Sequence, residues 1–177
     1  YNIVIVIDKS SSMKEEVDGQ VKWDWAKEGV ETFMNNIPIG DSSRMALTLF
    51  SGNASIACNF TKYKKEILDS LNKLQGSDIY GSTNFNVAFL DNFAGAINLL
   101  KKQNPNYKRA IIFLSDGEHE NSNGPFQLNT VSNLLREFNI QLFAITLLST
   151  KSNDLDLLAQ RTGGYYDFVS SKSQLNG

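Results

Sequence analysis

The sequence predicts a doubly wound α/β domain: a central, mostly parallel sheet with one antiparallel edge strand and helices on both faces. Three observations predict it. Six short, β-rich runs are apolar mainly on consecutive residues, the pattern of strands buried on both faces. Segments with apolar residues at helical spacing lie between most of them, and such alternation is the mark of an α/β domain. One pair breaks the alternation. RMALTLF (44–50) and ASIAC (54–58) are joined only by Ser51-Gly52-Asn53. So short a connection makes a hairpin, which places one antiparallel strand at an edge.

The elements follow in order. NIVIVI (2–7) is the first strand, β-branched from Ile3 to Ile7, and it runs into Asp8 and the serines Ser10, Ser11 and Ser12. Val30, Phe33, Met34 and Ile37 predict a helix that Pro38 and Gly40 stop. After the hairpin, Ile67, Leu68, Leu71 and Leu74 mark a second helix, halted near Gly76. Val87, Leu90, Ala94 and Ile97 mark a third, ending before Pro105. RAIIFLS (109–115) is a strand, residues 130–138 a helix, and QLFAITLLS (141–149) a strand. Residues 154–161 form the last predicted helix. Ser152 or Asn153 is its cap, and Asp154 and Asp156 face the positive end of its dipole. GYYDFV (164–169) is the final strand.

No repeat, linker or low-complexity stretch divides the 177 residues, so residues 1–177 read as one domain. The chain opens on a core strand without a methionine or signal peptide, and we expect it to be excised from a longer protein. No stretch approaches the ~18 apolar residues of a membrane span, so direct membrane insertion is not expected. A net charge of −2 and the lack of any Lys/Arg block give no reason to expect nucleic-acid binding. The single cysteine, Cys58, cannot form an internal disulfide, and its apolar setting predicts a buried thiol.

Ligands of open α/β sheets bind beyond the carboxyl ends of the strands. Three polar groups fall at such places: Asp8, Ser10 and Ser12 after the first strand, Thr83 before the third helix, and Asp116 after RAIIFLS. Singly, each is explained as a turn residue or a helix cap. Together they should converge on one rim. Two carboxylates and three hydroxyls, all oxygen donors, suit a hard divalent cation such as Mg²⁺ or Mn²⁺, with Ca²⁺ as a further candidate. With no cysteine nearby and one histidine in the chain, zinc is not expected. His119 reads as a solvated loop side chain, and alternation turns Lys9 away from the serines. Glu15, Glu16, Asp18, Trp23 and Trp25 read as the packed start of an amphipathic helix, or else as an aromatic rim for a partner.

Asp8-Lys9-Ser10-Ser11-Ser12-Met13, Gly81-Ser82-Thr83 and Ser115-Asp116-Gly117 resemble the metal-ion-dependent adhesion site of von Willebrand factor A domains. TLFSGNA and LAQRTGGYYDFV resemble that family's second and last strands, so the resemblance covers essentially the whole chain. It implies that Ser10, Ser12 and, depending on conformation, Thr83 bind the cation through hydroxyls. Asp8 and Asp116 would bind directly or through water. A protein partner would supply a Glu or Asp to complete the shell: capture rather than catalysis. The isolated domain is expected to be monomeric. Three departures stand out. Ser11 occupies the place of the family's usual glycine, the 14–25 insertion is long, and the last helix is cut short after Ser173-Gln174-Leu175.

Two other readings fit parts of the pattern. A haloacid-dehalogenase-type Mg²⁺ phosphatase also sets an Asp after its first strand. It needs a second Asp two residues on, where this chain has Ser10, a poor proton donor and acceptor at neutral pH. In the other, the metal merely braces the loops. Location is not fixed by the sequence; the absence of disulfides and the TGGYY ending tilt it towards a microbial surface or secreted protein.

Overall fold

The computed structural model describes residues 1–37, 43–147 and 151–170. β1 (Asn2–Asp8) leads through one 3₁₀ turn into a small hairpin, β2 (Glu16–Val17) and β3 (Gln20–Val21), and then α1 (Lys22–Asn36). β4 (Arg44–Phe50), β5 (Ala54–Thr61), α2 (Lys64–Asn72), α3 (Phe85–Leu90) and α4 (Ala96–Lys101) follow. β6 (Arg109–Ser115), α5 (Leu128–Glu137), β7 (Ile140–Leu147), α6 (Asn153–Thr162) and β8 (Tyr165–Val169) complete the described chain. The six-stranded sheet has the order β5-β4-β1-β6-β7-β8. β4 and β5 pair antiparallel and every other pair is parallel, so the predicted edge hairpin is present.

The consecutive apolar residues of β1 divide between two cores. Ile3, Ile5 and Ile7 join α1 and α2 on one face, through Trp25, Met34, Ile67 and Leu71. Val4 and Val6 join α3 to α6 on the other, through Phe85, Phe89, Leu100, Leu135 and Leu158. Side chains alternate across a strand, so a central parallel strand needs an apolar residue at every position. Parallel pairing also puts the carboxyl ends of β1, β4, β6 and β7 on one rim, where the polar residues lie.

Several expectations are corrected. The third predicted helix is two. Asp91 accepts hydrogen bonds from the backbone of Phe93 (2.9 Å) and Ala94 (2.8 Å), while Asn98 Nδ2 donates to the carbonyls of Leu90 (3.0 Å) and Asp91 (2.9 Å). A side chain that captures the next turn's N–H groups ends a helix that periodicity alone would continue. The ASIAC strand runs on to Thr61, with register shifts against β4 at Met45, Leu47 and Thr48. Cys58 is half-buried, because it sits on that edge strand. Trp25 is fully buried and Trp23 only 4% exposed, so these aromatics form core and not a partner rim. The Pro38–Gly40 stop, the end of QLFAITLLS and the shortened final helix fall outside the described residues.

Gly164, directly before β8, passes close to the backbone of the neighbouring strand β7. A β-carbon there would lie 1.8 Å from the Leu142 carbonyl oxygen, a backbone atom that cannot swing aside. Gly164→Ala is therefore expected to cost at least about 3 kcal/mol, in the range of severe core changes. Urea unfolding checks this. A midpoint within the error of wild type would contradict the close approach.

Candidate metal centre

Asp8 is the last residue of β1, and the register pairs Ile7 with Leu114, so Ser115 on β6 comes level with it. Asp8 Oδ1 accepts from the Ser10 backbone N–H (2.7 Å) and Oδ2 accepts from the Ser115 hydroxyl (2.5 Å). The Ser10 and Ser12 hydroxyls lie 3.1 Å apart, and Ser12 donates to Asp116 Oδ1 at 2.8 Å. Asp8, Ser10, Ser12, Ser115 and Asp116 thus form one hydrogen-bonded set. Among them Asp8, Ser10, Ser115 and Asp116 are essentially buried.

Thr83 has no hydrogen bond to this set among the described residues; its backbone is held by the loop after β6. Its N–H donates to Glu120 Oε1 (2.8 Å), and its carbonyl accepts from Glu120 N–H (2.9 Å) and Asn123 Nδ2 (3.2 Å). Thr83 is 3% exposed, and no hydrogen bond among the described residues uses its hydroxyl. The preceding Gly81 has φ +95°, a conformation that favours glycine. Its N–H donates to the Ser11 hydroxyl (3.1 Å) and its carbonyl accepts from Ser11 N–H (2.9 Å). Ser11 itself opens the 3₁₀ turn Ser11–Lys14 and is not among the non-glycine residues with positive φ. The place usually given to glycine therefore carries a hydroxyl that ties two site loops together, without strain.

Burial, the largest influence, pushes the Asp8 carboxyl up to about 7; the Ser115 hydroxyl opposes it and the Asp116 charge adds to it. Like charges beside each other in a poorly solvated site resist ionising together. Asp116 has a cationic neighbour. Lys22, the first residue of α1, is 3% exposed, and its ammonium donates to Asp116 Oδ2 (2.8 Å) and Glu15 Oε2 (2.6 Å). Burial alone would lower the Lys22 pKa, but the bonds to Asp116 and Glu15 outweigh it and leave it above its ordinary value.

His119 is structured, not solvated. Its Nδ1 accepts from Phe85 N–H (3.0 Å) and its Nε2 faces the Gly124 carbonyl (2.8 Å), which requires the proton on Nε2. Lys9 turns away from the carboxylates, as alternation predicts, with its ammonium over the Tyr80 ring (4.6 Å). Lys22, Glu15 and Glu120 are participants that the sequence did not place in the site, and Ser115, quoted with Asp116 but not as a ligand, enters as a hydrogen-bond partner of Asp8. Strand order could have indicated Ser115 once β1 and β6 were known to be neighbours; nothing in the sequence marked Lys22.

Among the described residues no group of three or more His, Cys, Asp or Glu gathers. What could hold a cation is therefore a mixed set of two carboxylates and hydroxyls, and its all-oxygen chemistry fits Mg²⁺ or Mn²⁺. A groove of about 980 Å³ lies at the other end of the sheet, lined by Arg109, Arg136, Ile140 and Arg161 among others, and includes none of these residues.

The profile of the von Willebrand factor type A domain matches residues 2–177. The chain belongs to this family. A comparison with curated proteins finds no match. Solved structures share the fold of this A domain at low identity. An aerotolerance-related membrane protein from Bacteroides fragilis, carrying multiple mutations to serines, is 17% identical with a TM-score of 0.76, over 99% of this chain and 94% of that one. A von Willebrand factor type A protein from Catenulispora acidiphila is 17% identical with a TM-score of 0.80, over 99% and 40%. Proximal thread matrix protein 1 from the mussel byssus, with a zinc-occupied MIDAS motif, is 21% identical with a TM-score of 0.74, over 98% and 42%. The A domain thus spans less than half of the latter two chains. Its family consists of protein-interaction modules that are generally not enzymes. No helix among the described residues is long and apolar enough to cross a membrane.

Proposed function

We propose that this A domain is a divalent-cation-dependent protein-binding module, taking Mg²⁺ or Mn²⁺ through Asp8, Ser10, Ser12, Thr83 and Asp116. The observation that carries the reading is the hydrogen-bonded set joining Asp8 to Asp116 through the Ser10 N–H and the Ser10 and Ser12 hydroxyls, at the carboxyl ends of β1 and β6. When bound, the cation would supply a coordination position for an acidic side chain of a partner, because Mg²⁺ favours six ligands and keeps waters in its shell, one of which a carboxylate can replace. Asp8 and Asp116 supply the charge, and the serines and Thr83 supply neutral oxygen. Ser115 and the Ser10 N–H orient Asp8, while Glu120 and Ser11 hold the Thr83 loop in place. A zinc-occupied MIDAS motif in the mussel protein supports a metal at this rim.

Mn²⁺ titration followed by electron paramagnetic resonance tests the reading. Wild type is expected to bind one Mn²⁺, competed by Mg²⁺, with affinity falling more than about tenfold in Ser12→Ala and lost in Asp116→Ala. Relaxation of acetate protons then tests capture: they should relax faster with the Mn²⁺-loaded domain than with the same total Mn²⁺ left free in solution beside Asp116→Ala. Metal binding without that enhancement would leave only a bracing role.

A further inference from the structure

Lys22 enters the site from a helix that lies outside the constellation, and its position is built rather than incidental. Its side chain is 4% exposed, its ammonium bridges Asp116 and Glu15, and no other Lys or Arg among the described residues forms an ion pair with Asp116. Trp23 and Trp25, buried beside it in the core, fix the start of α1 and hence the reach of the Lys22 stem. Asp116 Oδ1 is engaged by Ser12 and Oδ2 by Lys22, so each oxygen of this carboxylate already has a protein donor. Glu15, with a side chain 64% exposed, offers the ammonium a second anchor towards solvent.

We propose that Lys22 is a tethered counter-cation of the Asp116 carboxylate that competes with the divalent ion, setting its affinity and holding the loops together when no ion is present. The inference rests on the function proposed above and deepens it. A unit positive charge a few ångströms from the ion's binding position opposes binding, at any dielectric constant a partly buried site can have. The same charge compensates Asp116, which would otherwise be a buried carboxylate without a cation. Lys22 therefore acts in two opposite directions. It stabilises the metal-free domain and weakens the metal-bound one. Swinging to Glu15 alone gives the ammonium somewhere to go without leaving its helix.

Lys22→Met keeps the length of the buried stem and removes the charge. Calorimetric Mg²⁺ titration should show the variant binding about tenfold tighter or more, and in EDTA the variant should melt below wild type. A second measurement uses the unaltered domain: the Lys22 ammonium gives a ¹H–¹⁵N signal protected by its hydrogen bonds, assigned by its loss in Lys22→Met, which should shift as Mg²⁺ saturates. Equal or weaker Mg²⁺ binding by the variant, or an ammonium signal that stays unmoved while the unaltered domain binds Mg²⁺, overturns the competition while the metal-site reading stands. Binding by Lys22→Met alone supports the competition and shows that the unaltered site stays closed to Mg²⁺. Binding by neither overturns both.

Discussion

In EDTA at pH 8, Asp8→Asn should melt above wild type, by about 10 °C, and bind no Mg²⁺. The Asp8 carboxyl is fully buried, sits near Asp116 and is pushed up to about 7 from its ordinary 3.8. A carboxyl whose folded value is raised holds its proton more tightly in the native state than in the unfolded chain. Its contribution is therefore fully present below 3.8 and is lost as pH rises through about 7. The difference corresponds to roughly 4 kcal/mol, which for a domain of this size is about 10 °C. Asparagine keeps both hydrogen bonds, accepting from Ser10 N–H and donating to the Ser115 hydroxyl, and never ionises. The gap between variant and wild type should accordingly be widest at pH 8 and close progressively towards pH 4. Urea unfolding at several pH values in EDTA reads it directly. Coincident midpoints at pH 8, or a gap that widens on acidification, would show that the buried carboxylate costs nothing.

Phe113→Ala should destabilise the domain by about 3–5 kcal/mol. Phe113 is completely buried on β6, with ring centroids of Phe89, Phe50 and Phe85 at 5.0, 5.1 and 5.3 Å. Truncation removes one ring and the partners of three others, and a cluster of rings cannot close over a cavity that its own rotamers line. Phe85 begins α3, two residues after Thr83, so the loss should also loosen the Thr83 loop and weaken Mn²⁺ binding in the protein that remains folded. Phe93 is the control. It is 81% exposed, and Phe93→Ala should stay within about 0.5 kcal/mol of wild type. If Phe113→Ala matched that control in urea, the ring cluster would not be the core that its geometry indicates.

The sheet was legible because its strands obey a local rule. Val4 and Ile5 are both apolar, as are Ile111 and Ile112, since helices cover both faces, and that is written residue by residue. The placing of Asp8, Ser10, Ser12 and Asp116 on one rim was legible for a related reason: β1 and β6 are parallel and end at the same side of the sheet, whereas Thr83 arrives there from beyond α2. Asp91 was misread because its spacing suits a helix while its side chain serves to stop one. Lys22 could not be read at all. A lysine at the start of an amphipathic helix is ordinarily solvated, and only the path of the 14–21 hairpin, turning at Asp18-Gly19, brings its ammonium back to Asp116. Ser11, at the place of the family's usual glycine, uses an ordinary backbone and gains a cross-link that its residue type alone did not announce.

His119 gives the domain an internal reporter. It is the chain's one imidazole, held between the first N–H of α3 and the carbonyl of Gly124, with Phe85 and Phe126 packed on it at 6.0 and 5.5 Å. The bond to Phe85 links the loop carrying Thr83 to the one carrying Asp116, so their separation would break it. A single ring-proton resonance, needing no assignment beyond its uniqueness, would thus record the opening and closing of the whole rim while ions and partners are exchanged.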